Sequence, residues 1–175
     1  MQGAERVRLL AMDVDGVLTD GVLYLSAQGD ETKAFHVRDG MGIALALRGG
    51  LEVAFVTARV SPSVRRRAAE LGVAHLIEGA QDKRAAVAAL ATRLGMAPEE
   101  VAFIGDDLND LPVFQWCGVP IAVCDAPDRV RRAAAWVTPA PGGRGAVRAA
   151  VEAILAQQGR LEEAIARYLE GTTHQ

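Results

Sequence analysis

Short apolar runs along the chain alternate with longer segments in which apolar residues recur at helical spacing. The runs occupy residues 8–14, 51–57, 74–77, 101–105 and 119–124. Runs of this length, bounded by turn residues, are typical of buried parallel strands. The segments between them have clear helix ends, such as Ser61 and Pro62 at a start and Gly72 at an end. This alternation predicts one α/β domain over residues 1–175, a doubly wound parallel (Rossmann-like) sheet whose ligand site lies at the carboxyl ends of the strands.

Two other segments have distinct patterns. Residues 22–26 and 32–37 are β-rich and flank AQGDE, which predicts a protruding β-hairpin over about residues 21–37 with its turn near Gly29. An isolated two-stranded hairpin is marginally stable, so we expect its apolar side chains to be covered, and a neighbouring subunit is a natural candidate. Beyond a loop rich in Pro and Gly, a C-terminal tail helix is predicted over about residues 145–170, and residues 170–175 are expected to fray.

Composition excludes several classes of function. Hydrophobic residues make up 50% of the chain, charged residues 23%, and the formal net charge is -3, which argues against nucleic acid as a partner. The apolar run near the start is about six residues long, too short for a signal segment or a membrane span. We therefore expect a cytoplasmic protein without a membrane partner.

Basic charge is almost entirely arginine, since the only lysines among the 19 basic residues are Lys33 and Lys83. A compact ammonium and a planar guanidinium are not interchangeable at a phosphate, so each lysine is of interest. Lys83 begins a predicted helix near the sheet edge and is a candidate phosphate ligand. Lys33 is predicted to be a solvated surface residue.

Two acidic motifs follow predicted strands. Asp13 and Asp15 end the first strand, where residues two apart point to the same side, and the sequence GDDLND from Gly105 to Asp110 follows another strand. A single aspartate could simply cap the turn before Gly16, but two on an apolar strand favour a functional site. Carboxylates gathered at one edge need a cation, and oxygen ligands without Cys or His favour Mg²⁺.

A hydroxyl and an ammonium complete the expected site. Thr57 follows a third strand, and Lys83 follows the next crossover. Phosphoryl transfer needs positioning and charge stabilisation, which these groups supply. A receiver domain would share the acidic pocket, the Thr and the Lys, but it expects its phosphorylated Asp after a central strand, where this chain has Thr57.

The motif DVDGVLTDG from Asp13, followed in order by Thr57, Lys83 and GDD from Gly105, resembles the haloacid dehalogenase phosphatases. HVRDGMGI, GDDLNDLPV and PGGRGAVR are similar to a branch without a cap domain that acts on sugar-acid phosphates, and the likeness covers nearly the whole chain. The resemblance implies a Mg²⁺-dependent phosphomonoesterase in lipopolysaccharide precursor synthesis. The expected substrate is 3-deoxy-D-manno-octulosonate 8-phosphate.

The resemblance also implies a division of labour. Asp13 attacks phosphorus to form an aspartyl phosphate, and Asp15 protonates the leaving group and then activates water. Thr57 and Lys83 assist the transfer. The metal ligands are the carboxylates of Asp13 and Asp106 with the backbone carbonyl of Asp15. The supporting carboxylates around the metal site are Asp107 and Asp110.

Substrate contacts implied by the resemblance come from several segments. They are Asp15, His36, Val37, Arg38, Asp39, Gly40, Arg59, Arg67 and Lys83. Ala58 stands where the family commonly has Gly, and His36 where Asn is frequent, and His36 bears on the sugar rather than on the chemical step. The resemblance further implies a homotetramer built by the hairpin, with a neighbour's C-terminal tail over the site.

Two alternatives remain open. A phosphatase for a nine-carbon, sialic-acid-type 9-phosphate would carry nearly the same motifs. A non-catalytic assembly module, like those fused to cytidylyltransferases, would not need the complete set of acidic, Thr and Lys residues.

Overall fold

The computed structural model describes residues 1–29 and 31–172 and contains two sheets. The strands are β1 (Leu9–Met12), β2 (Tyr24–Leu25), β3 (Glu31–Thr32), β4 (Glu52–Val56), β5 (His75–Ile77), β6 (Val101–Gly105), β7 (Val119–Ala122) and β8 (Trp136–Val137). The α-helices are α1 (Val37–Arg48), α2 (Pro62–Leu71), α3 (Lys83–Arg93), α4 (Leu111–Phe114), α5 (Asp128–Ala133), α6 (Ala146–Gln157) and α7 (Leu161–Thr172). Short 3₁₀ turns occupy Ala4–Arg6, Pro98–Glu100 and Leu108–Asp110.

The larger sheet has the strand order β5-β4-β1-β6-β7-β8, and its neighbouring strands all run parallel. The chain starts in the middle with β1, extends to one edge through β4 and β5, and then returns to β6 on the other side of β1. This reversal is the switch point at which open α/β sheets bind ligands. Met12 is in register with Phe55 and Ile104, so the residues that follow β1, β4 and β6 lie side by side.

The core is built on the central strands. Leu9, Leu10, Ala11 and Met12 are completely buried, as are most residues of β4 and β6. The helices form two groups: α1 contacts α2, α6 and α7, and α3 contacts α4, which also contacts α5. Coverage of both faces by helices explains why these strands are continuously apolar rather than alternating. The predicted doubly wound parallel sheet is confirmed, and no cap domain occurs in the described residues.

The strands β2 and β3 form a separate antiparallel pair, which confirms the hairpin, but the second strand is shorter than the predicted residues 32–37 because α1 begins at Val37. Gly29 adopts a left-handed conformation with φ of 89° and donates its N–H to the carbonyl of Ser26. The apolar side chains of Val22, Leu23, Tyr24 and Leu25 are between 42% and 66% exposed in the isolated chain. The hairpin therefore presents an apolar surface to its surroundings.

The predicted tail helix is two helices, α6 and α7, and the prediction of one helix was wrong. Gly159 has φ of 66°, and the N–H of Arg160 donates to the carbonyl of Leu155, which is a left-handed helix ending. The second helix packs back against α1. The expected fraying of residues 170–175 falls partly on residues 173–175, which lie outside the described residues. Across the described ranges, none of the helices combines the length and apolar character needed to span a bilayer.

Candidate active site

The loop after β1 is held in a tight turn that points two aspartates toward the sheet edge. Asp13 continues the ladder by donating its N–H to the carbonyl of Ile104 at 3.0 Å. Gly16 is left-handed with φ of 88°, and the hydroxyl of Thr19 accepts hydrogen bonds from the N–H groups of Gly16 and Gly21. A glycine is needed here for a second reason, because a Cβ at Gly16 would overlap the carboxylate of Asp106.

The loop between β8 and α6 braces this turn from outside. Gly143 donates its N–H to the carbonyl of Val17 at 2.9 Å, and Gly142 donates to Asp125 Oδ1 at 3.0 Å. A Cβ on Gly142 would overlap the carbonyl of Gly16. Gly142 and Gly143, the adjacent glycines of the PGGRG motif, thus allow a backbone approach that fixes the aspartate loop.

Lys83 connects the two acidic motifs. Its side chain is 2% exposed, and Nζ lies 2.7 Å from Asp13 Oδ2 and 2.7 Å from Asp110 Oδ1. The residue is the first of α3, whose start is capped by the side chain of Asp82, which accepts from the N–H of Ala85. A buried ammonium flanked by two carboxylates is a fixed cation at the sheet edge.

The GDDLND segment turns back on itself around Asp110. Its Oδ2 accepts from the N–H of Asp106 at 2.9 Å and from the N–H of Asp107 at 3.3 Å. Asp110 is fully buried, whereas Asp107 is exposed and its Oδ1 accepts from the N–H of Leu108. This arrangement directs Asp106 toward Asp13, and a carboxylate oxygen from each of Asp13, Asp106 and Asp110 falls within one 4.8 Å cluster.

The cluster carries more negative charge than Lys83 neutralises. Burial, only partly offset by Lys83, raises the pKa of Asp13 to about 6. Burial and repulsion from Asp13 and Asp110 raise the pKa of Asp106 to about 8. Burial favours a lower pKa for Lys83, but attraction to Asp13 and Asp110 holds that pKa above its ordinary value. Oδ1 of Asp106 is buried and has no hydrogen-bond partner among the described residues. An unsatisfied carboxylate oxygen beside a second carboxylate fits a hard divalent cation such as Mg²⁺.

These groups surround one pocket of about 170 Å³ at the carboxyl edge of the sheet. Its lining residues are Asp13, Asp15, Thr57, Ala58, Arg59, Lys83, Asp106, Asp107 and Asn109. Thr57 is 2% exposed, and its hydroxyl accepts from the N–H of Arg59 at 3.1 Å, in the turn that follows β4. The structure thus brings together the residues for which the sequence predicted metal binding and phosphoryl transfer. Asn109 was not predicted, since an amide inside an acidic motif gives no separate signal.

Lys33 is not a solvated surface residue, and that prediction was wrong. Its side chain is 1% exposed, and Nζ forms ion pairs with Asp15 Oδ1 and Glu31 Oε1. The position follows from docking of the hairpin onto the pocket rim, which no local sequence pattern encodes. The one available signal was the rarity of lysine in an arginine-rich chain.

The remaining predicted substrate contacts form a second group around the start of α1. Arg67 lies against Gly40, and its guanidinium is 5.9 Å from the ring centroid of Phe35. His36 is the N-cap of α1, and its Nδ1 accepts from the N–H of Arg38 at 3.2 Å. These residues, with the exposed Val37, do not line the 170 Å³ pocket.

Asp39, a member of this second group, has a structural role. It is 1% exposed, and its two oxygens accept from the N–H groups of Gly145 and Arg148, each at 3.0 Å. A carboxylate at the amino end of a helix is stabilised by the unpaired N–H groups there. Asp39 therefore ties α1 to the amino end of α6.

The fold and the pocket together are those of a haloacid dehalogenase-like hydrolase, and the sequence profile of that family matches residues 69–149. The 3-deoxy-D-manno-octulosonate 8-phosphate phosphatase of Salmonella typhi is 48% identical over 164 residues, covering 94% of this chain and 87% of that protein. The chain therefore belongs to the 3-deoxy-D-manno-octulosonate 8-phosphate phosphatase family of the haloacid dehalogenase-like hydrolases. The resemblance inferred from the motifs is confirmed.

Solved structures agree with this assignment. The phosphatase of Moraxella catarrhalis, in complex with a magnesium ion, a phosphate ion and a KDO molecule, has a TM-score of 0.92 at 41% identity and covers 95% of this chain and 96% of that chain. The cobalt-bound phosphatase of Haemophilus influenzae has a TM-score of 0.89 at 42% identity and covers 91% of this chain and 94% of that chain. The metals in those two structures are consistent with the hard-cation fit of the acidic cluster here.

Proposed function

We propose that the chain is a Mg²⁺-dependent phosphomonoesterase that hydrolyses 3-deoxy-D-manno-octulosonate 8-phosphate to the free sugar acid and phosphate. The observation that carries the proposal is the buried cluster in which Lys83 contacts Asp13 and Asp110 beside the unpartnered oxygen of Asp106. The relatives named above act on this substrate, and the geometry supplies the nucleophile, cation site and phosphate ligands that such a reaction needs.

The carboxylates of Asp13 and Asp106, with the backbone carbonyl of Asp15, would hold the Mg²⁺. A bound Mg²⁺ supplies positive charge that offsets repulsion among the carboxylates and the phosphate. Asp110 supports this site from behind by accepting from Lys83 and from the N–H of Asp106, and Asp107 would support it from the pocket wall. Ionised Asp13 is the form that attacks phosphorus. Positive charge beside the carboxylates stabilises this ionised form and therefore favours catalysis.

In the first step Asp13 attacks phosphorus, and a new bond forms between its carboxylate oxygen and the phosphoryl group. The bond from phosphorus to the sugar oxygen breaks, and Asp15 gives its proton to that oxygen. Lys83 and Thr57 hold the phosphoryl oxygens as their charge is redistributed. Lys83 also fixes Asp13, because its Nζ contacts Asp13 Oδ2.

In the second step Asp15, now a carboxylate, takes a proton from water. The resulting nucleophile attacks phosphorus, the bond to Asp13 breaks, and phosphate leaves with Asp13 regenerated. The position of Asp15 on the pocket wall, two residues from the nucleophile, suits it to both proton transfers.

Recognition of the sugar acid is assigned to the pocket rim and the second group. Arg59 lines the pocket, and Arg67 lies beside Gly40. Guanidinium groups pair with carboxylates through two parallel hydrogen bonds, which suits the acid end of the substrate. His36, Val37, Arg38, Asp39 and Gly40 complete the proposed sugar-contact segment, in which the backbone of Asp39 is the part left for the sugar because its carboxylate is buried against α6.

A homotetramer and a cytoplasmic location belong to the same proposal. The exposed apolar side chains of the hairpin support burial against other subunits, and a tail from a neighbour would cover a site that has no cap in the described residues. Phosphorylated sugars are charged and do not cross bilayers, so the enzyme is expected where its substrate is made. Light scattering tests the assembly, for which a mass near four chains is expected and a monomer would argue against it.

A substrate panel tests the activity. Phosphate release is measured for 3-deoxy-D-manno-octulosonate 8-phosphate, a nine-carbon sugar-acid 9-phosphate, and sugar phosphates of similar size that lack the carboxylate. We expect the highest kcat/KM for the octulosonate ester and the lowest for esters without a carboxylate. A preference for the nine-carbon ester would reassign the substrate, and equal rates on neutral sugars would remove the role of the arginines.

A further inference from the structure

The hairpin contributes charged side chains that contact two residues of the pocket wall, Asp15 and Arg59. Lys33 directly follows β3, and its ammonium is enclosed between Asp15 Oδ1 and Glu31 Oε1, the latter at 3.0 Å. Only 1% of the Lys33 side chain is exposed, although most of the hairpin is exposed. The contact therefore joins the hairpin to the aspartate loop after β1.

The ion pairs continue beyond Lys33. Oε2 of Glu31 pairs with the guanidinium of Arg59, which also lines the pocket. Burial alone would raise the pKa of Glu31, but the hydrogen bond from Arg59 and the adjacent positive charge of Lys33 hold that pKa below its ordinary value. These contacts form a continuous series of ion pairs with two positive and two negative groups, and a pocket residue lies at each end. In order, the groups are Asp15, Lys33, Glu31 and Arg59.

The arrangement constrains Asp15 in particular. A buried ammonium must remain paired, so Lys33 holds one carboxylate oxygen of Asp15 in place. A lysine side chain has four rotatable bonds and fixes little on its own, but this one is enclosed and bound at two carboxylates. Oδ1 of Asp15 is thereby engaged on the hairpin side, while Asp15 also lines the pocket.

We propose that Lys33 is a positioning residue for proton transfer by Asp15, and that Glu31 supports it. The inference rests on the proposed function, since it takes Asp15 as the group that protonates the leaving oxygen while Asp13 bonds to phosphorus. A displaced Asp15 would still leave the nucleophile, Lys83 and the cation site intact. The two proton transfers assigned to Asp15 would suffer, first to the leaving oxygen and then from water.

This placement has a specific kinetic consequence. Esters with poor leaving groups, such as alkyl phosphates, need a proton on the departing oxygen as the bond to phosphorus breaks. The nitrophenolate ion leaves without a proton. Loss of Lys33 should therefore lower kcat/KM for alkyl esters much more than for p-nitrophenyl phosphate, because kcat/KM reports the step that expels the leaving group.

The experiment compares Lys33→Met with the wild type on sugar-free esters of increasing leaving-group basicity, namely p-nitrophenyl, phenyl and glycerol phosphates, at saturating Mg²⁺. The octulosonate ester is measured alongside. We expect a fall of about 10- to 100-fold in kcat/KM for glycerol phosphate and at most about threefold for p-nitrophenyl phosphate. Thr32→Ala is the matched control, since it alters the exposed neighbouring residue of β3 without touching the ion pairs.

Three results would overturn the inference. An equal loss on every ester would indicate a merely structural role, and no loss on any ester would remove the role altogether. A loss confined to the octulosonate ester would make Lys33 a substrate contact instead. A wild-type enzyme that hydrolyses the sugar-free esters but not the octulosonate ester would contradict the proposed substrate. The comparison of Lys33→Met with the wild type on the sugar-free esters would still test the role of Lys33.

A second variant covers the case in which Lys33→Met does not fold. Glu31→Gln keeps the size of the side chain and retains Lys33, but it weakens the support of the ammonium. We expect the same dependence on the leaving group with a smaller amplitude. A native mass equal to that of the wild type shows that the effect does not come from lost assembly, and a uniform loss in this variant would also overturn the inference.

Discussion

The carboxyl edge of the sheet and the hairpin each bury one lysine between two carboxylates. Lys83 sits between Asp13 and Asp110, and Lys33 sits between Asp15 and Glu31, with side chains 2% and 1% exposed. The first lysine is placed by helix α3 and by neighbouring strand ends, which the sheet order fixes. The second lysine is placed by the hairpin, which packs against the rim of the pocket. The two pairs of contacts are chemically alike, yet the first belongs to the framework of the sheet and the second depends on how the hairpin packs against the pocket rim.

The largest expected effect comes from removing the framework lysine. Lys83→Met leaves Asp13 and Asp110 buried without their cation, which should lower the free energy of unfolding of the metal-free protein by about 3–5 kcal/mol. It should also lower kcat/KM by about 10²- to 10³-fold for every ester, since the transferred phosphoryl group loses a fixed charge. Urea unfolding and the ester series described for Lys33→Met measure both. If Lys83→Met unfolds with wild-type free energy, or if its loss of kcat/KM depends on the leaving group, the proposed difference between the two lysines is wrong.

The second effect is a pH dependence confined to the sheet edge. The pKa values of Asp13 and Asp106 are raised to about 6 and about 8, so the metal-free folded state binds more protons than the unfolded state in this range. The contribution of these two carboxyls to the stability of the metal-free protein should therefore be greatest near pH 4 and decrease by several kcal/mol as the pH rises to 8. Mg²⁺ binds the deprotonated folded state and should offset that loss increasingly toward pH 8.

Thermal unfolding from pH 4 to 8, with and without Mg²⁺, measures this dependence. Asp106→Asn should flatten the metal-free profile, whereas Asp107→Asn, at an exposed neighbouring carboxylate, should retain most of it. A metal-free protein that becomes more stable toward pH 8 would contradict the assigned charges.

A third, smaller effect concerns the support of the cation site. Asp110→Asn replaces an oxygen that accepts from Lys83 or from the N–H groups of Asp106 and Asp107 with an amide donor. Loss of such outer support should weaken Mg²⁺ binding by about 10- to 100-fold. Calorimetric titration with Mg²⁺ in the absence of substrate gives the affinity directly. Unchanged affinity would mean that Asp110 serves Lys83 alone.

The smallest effect on the single chain is expected at the tip of the hairpin. Leu25 is 66% exposed, so Leu25→Ser should change the free energy of unfolding of the isolated chain by no more than about 0.5 kcal/mol. If the hairpin builds the tetramer, the native mass should fall. Val60→Ser, at a residue 63% exposed outside the hairpin, is the control and should keep the wild-type mass. A large loss of stability at unchanged mass would place Leu25 in the chain's own core.

The same comparison explains what the sequence could predict. Parallel strands end at one edge, so the order of Asp13, Thr57, Lys83 and Asp106 along the chain was enough to bring these residues together. The burial of Lys33 depends on how the hairpin docks, and the capping of α6 by Asp39 joins residues more than 100 positions apart, so neither has a local pattern. The strand β8 is two residues long and escapes any periodicity test. The helix ending at Gly159 had a local signal, since glycine favours the left-handed conformation, but the apolar residues at helical spacing in the tail led to the prediction of one helix.

The central claim is that phosphate passes through a covalent bond to Asp13 at a site that requires a divalent cation. Phosphate release from 3-deoxy-D-manno-octulosonate 8-phosphate, measured for the wild type and Asp13→Asn with Mg²⁺ and again after EDTA, tests it most directly. The account predicts turnover by the wild type only with the metal, and a loss of about 10⁴-fold or more in the variant. Full activity in EDTA, or an Asp13→Asn enzyme that retains wild-type turnover, would contradict it.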